Sequence, residues 1–458
     1  MSKLWAKGYE LDALVEDFTV GEDYRLDHRL IPADVAGSLA HATMLHHVGL
    51  LKDDELKALR HGLLTILKEH AEGSFTIQKS DEDGHTAIEN RLVELAGDAG
   101  KRIHLGRSRN DQVLTVTRLW MRSYLLDYVD SGCHTLEALL KFAQEHRNVP
   151  MPGRTHMQPA MPSSVGLWAA GFGEQLLDDL RNAARLFSYI DQCPLGSGAG
   201  YGTPLPLDRE MTAGLLGFGR IQNNVTYAGL SRGKFASALL ESLDQAAITL
   251  SKLACDLILF ALPEFGWFRL PQDLCTGSSI MPQKRNPDGL ELMRSKAASI
   301  GARAGEIKSI IRSLPSGYNR DYQDTKGPML RGADDSLAMM EVAALTMEKL
   351  EVQEENLLSS FHDGVFATDA AIALVADGMT FRDAYREVGT HPERFGGKNP
   401  HEAIVDRTSS GTAGNPHFDV LSQGLKDLHN ENLQRQKTIG AALKSLLGEE
   451  VPLHFPLR

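Results

Sequence analysis

The chain has 458 residues, of which 42% are hydrophobic and 24% charged, and its formal net charge is −12. This composition is typical of a large globular protein and argues against disorder, and the length predicts two or three domains. The acidic balance disfavours nucleic acids and anionic membranes as partners, so an anionic substrate would require a locally basic pocket.

The four cysteines show neither metal-ligand spacing nor a disulfide-dense pattern, which predicts a reducing, cytoplasmic environment. Residues 1–18 contain no apolar core of a secretory signal, and no uncharged apolar run is long enough to span a membrane. The chain also shows no metal-ligand set and no phosphate-binding loop, so no metal and no organic cofactor are expected.

The first hundred residues favour short helices with breaks between them. Residues 32–34, with the sequence Pro-Ala-Asp, have the character of a helix start, and residues 52–55 follow with a lysine and three acids. Acidic side chains are favourable near a helix N-terminus, so a second helix is predicted to begin there.

Long helices are predicted for the middle of the chain. Residues 234–262 repeat apolar side chains at helical spacing without an internal glycine or proline, which predicts a rod of about 43 Å. Similar stretches cover residues 111–147, 163–192, 287–312 and 334–350. Together they predict a long-helix bundle. A coiled-coil scaffold is disfavoured because strict heptads are absent.

Beyond about residue 360 the helices are predicted to shorten again. Residues 391–418 are rich in Gly, Pro, Asn and Ser, which is typical of a loop or a mobile element.

Residues 101–113, KRIHLGRSRNDQV, combine cations and polar groups just before a long helix. Arg107 and Arg109 flank Ser108 and precede Asn110. The planar guanidinium group matches a carboxylate in a bidentate manner, so the segment is suited to an anionic substrate. A helix-capping segment with solvated arginines would explain the same residues.

Residues 151–162, MPGRTHMQPAMP, contain three prolines and a glycine, so an irregular stretch is predicted ahead of a helix. Thr155 and His156 are then expected on a rigid turn. A lone histidine more often has a structural role than a catalytic one, and both interpretations stay open at this point.

Residues 277–287, GSSIMPQKRNP, have the composition of a catalytic loop. The glycine and two serines predict a mobile polar turn, and Lys284 and Asn286 place a cation and an amide just before a helix that starts near Pro287. A lysine, an amide and free backbone N–H groups at a helix start all favour negative charge. The alternative is an ordinary polar loop.

Residues 277–287 also resemble the signature loop of the fumarase/aspartase superfamily, whose members remove a leaving group from a succinyl unit and release fumarate. Ser278 matches the catalytic serine of that loop, and Lys284 and Asn286 match its substrate-carboxylate ligands. Thr155 and His156 match the superfamily's Thr-His-x-Gln segment, and Glu291 matches a glutamate that pairs with the histidine.

Two segments narrow the resemblance to the argininosuccinate lyase family, in a divergent bacterial branch. Residues 104–112 resemble its motif His-Thr-Gly-Arg-Ser-Arg-Asn-Asp-Gln, with Leu105 in place of the threonine. Residues 314–326, LPSGYNRDYQDTK, match its Leu-Pro-x-x-Tyr-Asn-x-Asp-x-Gln-x-x-Lys, so Tyr318, Gln323 and Lys326 would bind the amino-acid end of the substrate. A solvated connector would explain the charges of this segment but not its spacing.

The resemblance implies an all-α fold with a central long-helix bundle. The domains would be an N-terminal helical domain at residues 1–106, the bundle at residues 107–360 and a small helical C-terminal domain at residues 361–458. It also implies a homotetramer in which each site takes segments from three chains, and no part for nucleic acid or membrane.

The implied activity is the reversible elimination of fumarate from argininosuccinate, which leaves arginine. Ser278 would be the base, and His156, oriented by Glu291, would be the acid or a proton relay. The substrate-binding residues would be Asp23, Ser108, Arg109, Asn110, Thr155, Lys284, Asn286, Tyr318, Gln323 and Lys326.

Several positions depart from the family pattern. Asp23 stands in place of a substrate-binding serine, Arg154 in place of a tyrosine, and residues 231–234 read Ser-Arg-Gly-Lys in place of an acidic Ser-Asp-Arg-Asp segment. Asp23 could pair with a substrate cation or could be a solvated helix-start residue. These departures keep two alternatives open: another amino-disuccinate or fumarate-releasing lyase, and a noncatalytic structural relative such as a lens crystallin.

Overall fold

The structure, a computed structural model, describes residues 12–454, so most of the amino-terminal stretch inspected for a signal lies outside it. The amino-terminal helices are α1 (Ala13–Val20), α2 (Asp23–Leu26), α3 (Ile31–His47), α4 (Asp53–Ala71) and α5 (Gly84–Ala96). Pro32 lies in the first turn of α3, and Lys52 precedes α4 with Glu55 closing a capping box. Both predicted helix starts are therefore confirmed.

The predicted long helices are present and pack together as a bundle. They are α6 (Arg109–Glu145), α7 (Val165–Ile190), α10 (Lys234–Phe260), α11 (Asp288–Ile311) and α12 (Lys326–Lys349), with the short helices α8 (Arg209–Leu215) and α9 (Val225–Leu230) between α7 and α10. Helix α12 begins at Lys326 rather than at residue 334, because two glycines and a proline in its first two turns interrupt the apolar period.

Apolar stripes hold the bundle together. The side chains of Leu239, Leu243, Leu250 and Leu253 in α10 are all at most 1% exposed, as expected for one face of an amphipathic helix. Helices α6 and α7 approach closely at Gly132, where a Cβ atom would lie 2.2 Å from Leu180 Cδ2. A larger residue at this position would therefore force the two helices apart.

The stretch at residues 151–162 is a β-hairpin, so the prediction of an irregular segment is wrong. Strands β1 (Pro150–Thr155) and β2 (Gln158–Ser164) pair antiparallel, and His156 and Met157 form the turn. Prolines are tolerated because each strand of a two-stranded sheet keeps one unpaired edge. The only other strands described, β3 (Phe268–Arg269) and β4 (Glu351–Val352), also form an antiparallel pair.

The carboxy-terminal part differs from the prediction of short helices. It contains α13 (Glu354–Ser359), α14 (Ala367–Ala376), α15 (Phe381–Thr390), α16 (Pro400–Val405) and the 30-residue α17 (Phe418–Leu447). Helix α17 packs on α6 and α7 and buries Leu421, Leu428 and Leu443 in the bundle core. Residues 391–418 are largely loop, as predicted, although α16 lies within them.

The main core runs without interruption through the amino-terminal helices, the bundle and α17. A small separate core forms around Ala371, Ala384 and Val388 in α14 and α15. The all-α fold with a central long-helix bundle is confirmed. The domain limits stay a prediction, although α17 shares the bundle core rather than the small one. None of the described helices is long and apolar enough to cross a membrane.

Candidate active site

A cleft of about 920 Å³, including space open to solvent, lies where α6, α10 and α12 begin. Helix α2, the start of α5 and the 3₁₀ turn Arg320–Thr325 complete its walls. The cleft brings together many of the residues that the sequence singled out. They are Asp23, Arg109, Asn110, Tyr318, Gln323 and Lys326.

The ammonium group of Lys326 is buried between two carboxylates of its own chain. Its Nζ atom lies 2.5 Å from Asp27 Oδ1 and 3.1 Å from Asp23 Oδ1, and only 7% of the side chain is exposed. Burial opposes the charge, but Asp27 and Asp23 outweigh it and hold the pKa of Lys326 above its usual value. Burial raises the pKa of Asp23 to about 6 although Lys326 acts in the opposite direction.

Asp23 is therefore not a solvated helix-start residue. It does lie in the first turn of α2, yet its side chain is only 15% exposed and pairs with Lys326 in the cleft wall. The ammonium group of Lys326 is not free to bind a substrate carboxylate, because it already forms ion pairs with Asp23 and Asp27. This ion cluster acts as one element of the wall.

The start of α6 fixes Arg109 and Asn110 in the cleft. Ser108 caps the helix: its Oγ atom accepts the amide of Asn110 at 3.2 Å, and its own amide donates to Asp111 Oδ1 at 2.9 Å. Arg109 Nη2 donates to Thr86 Oγ1 at 2.8 Å, and Nη1 lies 3.3 Å from Asp83 Oδ2. The capping alternative for this segment is thus confirmed for Ser108, but Arg109 is paired rather than solvated.

Arg107 has a different role from Arg109. Its Nη1 atom donates to Ser38 Oγ at 2.9 Å, in a network that includes Asp34, and it does not line the cleft. Burial lowers the pKa of Arg107 although Asp34 acts in the opposite direction. Of the two arginines that flank Ser108, only Arg109 therefore lines the cleft.

His85 is a cleft residue that sequence reasoning missed. Its Nδ1 atom contacts Asp34 Oδ2, and Asp34 Oδ1 also accepts Gln112 Nε2 at 2.7 Å. Burial opposes charge on both groups, yet their interaction outweighs it: the pKa of Asp34 falls to about 2 and that of His85 rises. The pairing joins residues 51 positions apart, so only the acidic residues around His85 could have hinted at it.

Hydrogen bonds at the edge of the cleft connect the end of α1 to the 3₁₀ turn before α12. Gln323 Nε2 donates to the carbonyl oxygens of Thr19 at 3.1 Å and Val20 at 3.3 Å, and Arg320 Nη2 donates to Thr19 O at 2.7 Å. Tyr318 lines the cleft and is 45% exposed. Gln323 and Lys326 already have partners within the chain, whereas no hydrogen bond of the Tyr318 hydroxyl is seen among the described residues.

The signature loop is exposed and closed on itself. Thr276 and Asn286 exchange backbone hydrogen bonds of 3.0 and 2.9 Å at its neck. Ser278 Oγ accepts the backbone N–H groups of Ile280 at 3.3 Å and Met281 at 3.1 Å. The Asn286 amide donates to Gly277 O at 3.3 Å. Within residues 12–454, Lys284 forms no ion pair.

The hairpin tip exposes Thr155 and His156 at the surface. His156 and Met157 have φ angles of 51° and 62°. This is the left-handed conformation that both central residues of a type I′ hairpin turn adopt. Arg154 Nη2 donates to Met157 O at 2.5 Å, and its guanidinium lies 5.1 Å from the centre of the Phe265 ring. Arg154 therefore braces the turn, which accounts for this departure from the family pattern.

The hairpin tip and the signature loop both lie far from the cleft within one chain. Helix α6 starts in the cleft and runs for 37 residues, about 55 Å, before the hairpin begins. His156 shares a surface cavity with Phe260, at the end of α10 opposite to the cleft. The predicted pair of His156 and Glu291 forms no ion pair or hydrogen bond in the described chain.

The described residues contain no group of three or more His, Cys, Asp or Glu side chains that could hold a metal ion. All four cysteines are free, and Cys133 and Cys193 are buried.

The fold and this residue set define a helical-bundle lyase of the fumarase/aspartase type. A family profile described as "Lyase" matches residues 7–301. Among solved structures, an EDDS lyase variant with bound fumarate superimposes with a TM-score of 0.80 at 21% identity, covering 94% of each chain. The class II fumarase of Schistosoma mansoni superimposes with a TM-score of 0.71 at 17% identity, covering 90% of this chain and 94% of that chain. At these identities the likeness concerns the fold.

The sequence comparison is more specific. The argininosuccinate lyase of Stenotrophomonas maltophilia (strain K279a) is 43% identical over 420 residues, which cover 91% of this chain and 97% of that protein. The argininosuccinate lyase of Xanthomonas campestris pv. campestris (strain ATCC 33913) is 42% identical with the same coverage. The chain belongs to the argininosuccinate lyase family.

Proposed function

We propose that the protein eliminates fumarate from argininosuccinate and leaves arginine, in a reversible reaction of arginine biosynthesis. The observation that carries the proposal is the cleft, which collects Arg109, Asn110, Tyr318 and Gln323 from segments far apart in the sequence. These side chains offer a guanidinium, two amides and a phenol, which are groups that bind carboxylates and amino-acid polar atoms.

The reaction removes a weakly acidic proton next to a carboxylate and places two negative charges on that carboxyl group. Lys284, Asn286 and the amides of the signature loop are the groups proposed to stabilise it, because fixed donors and cations are usually the largest catalytic contribution. Because these groups are exposed in one chain, they could contact a substrate bound in the cleft of another chain.

Ser278 is proposed as the base. A serine alkoxide forms only where its charge is stabilised, and Ser278 Oγ already accepts two backbone N–H groups from Ile280 and Met281. Lys284 lies in the same loop and adds a cation to these surroundings. The departing nitrogen needs a proton, for which His156, oriented by Glu291, is proposed as the acid or the relay.

A homotetramer would bring the three regions together, with cleft, hairpin tip and signature loop supplied by three different chains. Apolar side chains on the outside of the bundle support this assembly. Ile248 in α10, Leu292 in α11 and Val342 and Leu345 in α12 are 37–56% exposed in the isolated chain. Such a surface along helices is typical of an interface between subunits. We also propose a cytoplasmic location.

The direct test is an ultraviolet assay of fumarate release from argininosuccinate by the purified protein, together with the reverse reaction from arginine and fumarate. Release that depends on Ser278 supports the proposal. A folded tetramer that neither releases fumarate from argininosuccinate nor consumes it with arginine would contradict the proposal. It would then favour the noncatalytic alternative or a different substrate.

A second candidate is a lyase for another amino-disuccinate. It is favoured by the cleft wall, in which Asp23 replaces the family's serine and already pairs with Lys326. Competition between argininosuccinate and ethylenediamine disuccinate separates the two candidates. A larger kcat/KM for ethylenediamine disuccinate would favour the second one.

A further inference from the structure

Arg232, the cation that replaces an acid of the family pattern, is held rigidly at the entrance of α10. On one side Ser231 is buried, and its Oγ atom accepts Gln222 Nε2 at 2.9 Å. On the other side Gly233 caps α10 with a φ angle of 79°, and a Cβ atom there would lie 2.5 Å from Ile311 Cγ2. Only glycine fits that position. The Arg232 backbone therefore has little freedom.

The guanidinium of Arg232 faces the cleft beneath two tyrosines. It lies 4.8 Å from the centre of the Tyr318 ring and 5.6 Å from that of Tyr322, within the range of cation–π attraction. Burial lowers the pKa of Arg232, although Tyr318 and Asp23 act in the opposite direction. No residue that the structure describes forms a hydrogen bond or an ion pair with this guanidinium.

The other cations of the cleft already have hydrogen-bond partners or ion pairs. Arg118, for example, donates to Gln192 O at 2.7 Å. The partnered cations are Arg109, Arg118, Arg320 and Lys326. A guanidinium carries five N–H donors in a planar fork, and stacking on a ring leaves its edge free. Arg232 is thus the cation among the described cleft residues whose donors are unused.

We propose that Arg232 binds a carboxylate on the leaving amine of the substrate, which for argininosuccinate is the α-carboxylate of the arginine half. The inference rests on the proposed function and names a specificity-determining residue that the family pattern does not contain. Tyr318 and Tyr322 hold the guanidinium plane so that its edge is presented to the carboxylate.

The helix behind Arg232 adds to the anion site. Phe235 and Ala236 belong to the first turn of α10, whose backbone N–H groups have no partner within the helix, and both residues line the cleft. The positive end of the dipole of this 27-residue helix therefore faces the same space. A carboxylate beside Arg232 would be in contact with two independent sources of positive potential.

The test compares two substrates that differ only in the proposed contact. Argininosuccinate carries the α-carboxylate, and its agmatine counterpart, N-succinylated on the same guanidinium nitrogen, lacks it. Arg232→Gln should raise KM for argininosuccinate about 10- to 100-fold, the usual loss for one charged hydrogen-bonded contact, and should leave kinetics with the agmatine compound little changed. Arg232→Lys should fall between wild type and glutamine, because the charge stays but the fork is lost.

Lys234→Gln is the matched control, because Lys234 is an exposed cation two residues away and its removal should not discriminate between the substrates. Thermal unfolding of each variant checks the fold. Equal losses with both substrates would mean that Arg232 only positions the tyrosine rings, and unchanged kinetics would mean that it has no role. Either result overturns the inference.

Failure of the proposed function is seen separately, because wild type would then release no fumarate from argininosuccinate. In that case ethylenediamine disuccinate and N-(2-aminoethyl)aspartate replace the two substrates, since only the former leaves an amine that bears a carboxylate. Calorimetric binding gives a second readout for both pairs. Loss of preference for the carboxylate-bearing compound in Arg232→Gln would still support the inference, and retained preference would reject it.

Discussion

The cleft and the signature loop differ in the burial and pairing of their polar side chains. In the cleft, Lys326 and Arg109 are partly or fully buried and are neutralised by carboxylates of the same chain. In the loop, Lys284 is exposed and Ser278 Oγ accepts hydrogen bonds from two backbone N–H groups of the same loop. In the cleft the cations other than Arg232 are paired within the described chain, while the loop presents its polar groups outward. In the proposed tetramer, a site that uses both regions would take them from different copies of the chain.

Ser278→Ala tests the outward-facing region most strongly. Removal of a general base typically costs about 10³-fold in turnover, so kcat should fall by that order while the fold and substrate binding persist. Steady-state kinetics with a thermal unfolding control measure this. Ser279→Ala, next to it in the same exposed loop, is the matched control. Turnover of the Ser278 variant close to that of wild type would remove it from the base role.

Mixed refolding tests whether the two regions come from different chains. His156→Asn and Lys284→Ala are each expected to be inactive, but a tetramer formed from both should contain sites free of either lesion. Random mixing would restore about one quarter of the sites of a symmetric assembly. Fumarate release after joint unfolding and refolding measures the recovery.

The control mixes Ser278→Ala with Lys284→Ala, whose lesions lie in one loop, so that every site carries one of them and no recovery is expected. Tetramers shown to be mixed but inactive in the first experiment would indicate a site built within a single chain.

Lys326→Met breaks the paired region. It leaves Asp27 buried without its cation, and removal of one partner of a buried pair typically costs about 3–5 kcal/mol of unfolding free energy. Lys308→Met is the control, because its pair with Glu241 is exposed and should contribute less than about 1 kcal/mol. Denaturant unfolding compares both with wild type. Equal small losses would show that the cleft wall does not depend on this ion cluster.

Asp23→Asn should have the smallest effect, and it should depend on pH. The pKa of Asp23 is about 6 in the folded chain against 3.8 for an unperturbed aspartate. Between these values the folded state retains a proton that the unfolded state has released, so wild-type stability falls as pH rises through this window. The asparagine variant should lack that contribution, and its KM should rise several-fold because a carboxylate that can pair with a cation of the substrate is lost.

Melting temperatures measured across this pH range check the stability effect of Asp23→Asn, with Asp54→Asn as an exposed control. A pH profile identical to wild type would show that Asp23 does not titrate there. An unchanged KM would leave substrate recognition to Asn110, Tyr318 and Gln323.

Periodic features of the molecule could be predicted from sequence, and non-local ones could not. Apolar spacing located both α6 and α10 to within two residues at each end. Helix α17 was missed because its buried side chains form a narrow stripe in a mostly polar segment that follows a loop. The hairpin was missed because prolines usually exclude strands, a rule that an isolated two-stranded sheet escapes.

The composition of the cleft could be predicted only in part. Motif spacing identified Arg109, Asn110 and Tyr318 one by one, but it gave no sign that Lys326 would already be paired with Asp23 and Asp27. Such pairs join positions about three hundred residues apart, as the 299-residue separation of Lys326 and Asp27 shows. Local pattern carries no information about these contacts, since they depend on how the helices pack.

The length of α6 has a consequence for how activity depends on the amount of protein. Because this helix keeps the cleft and the hairpin tip about 55 Å apart, subunits of the proposed tetramer that separate on dilution would each keep their fold and lose their site. Mass action would then set specific activity. Because the substrate would contact more than one subunit, it would favour the associated form. It would thereby reduce the loss of activity when the protein is diluted.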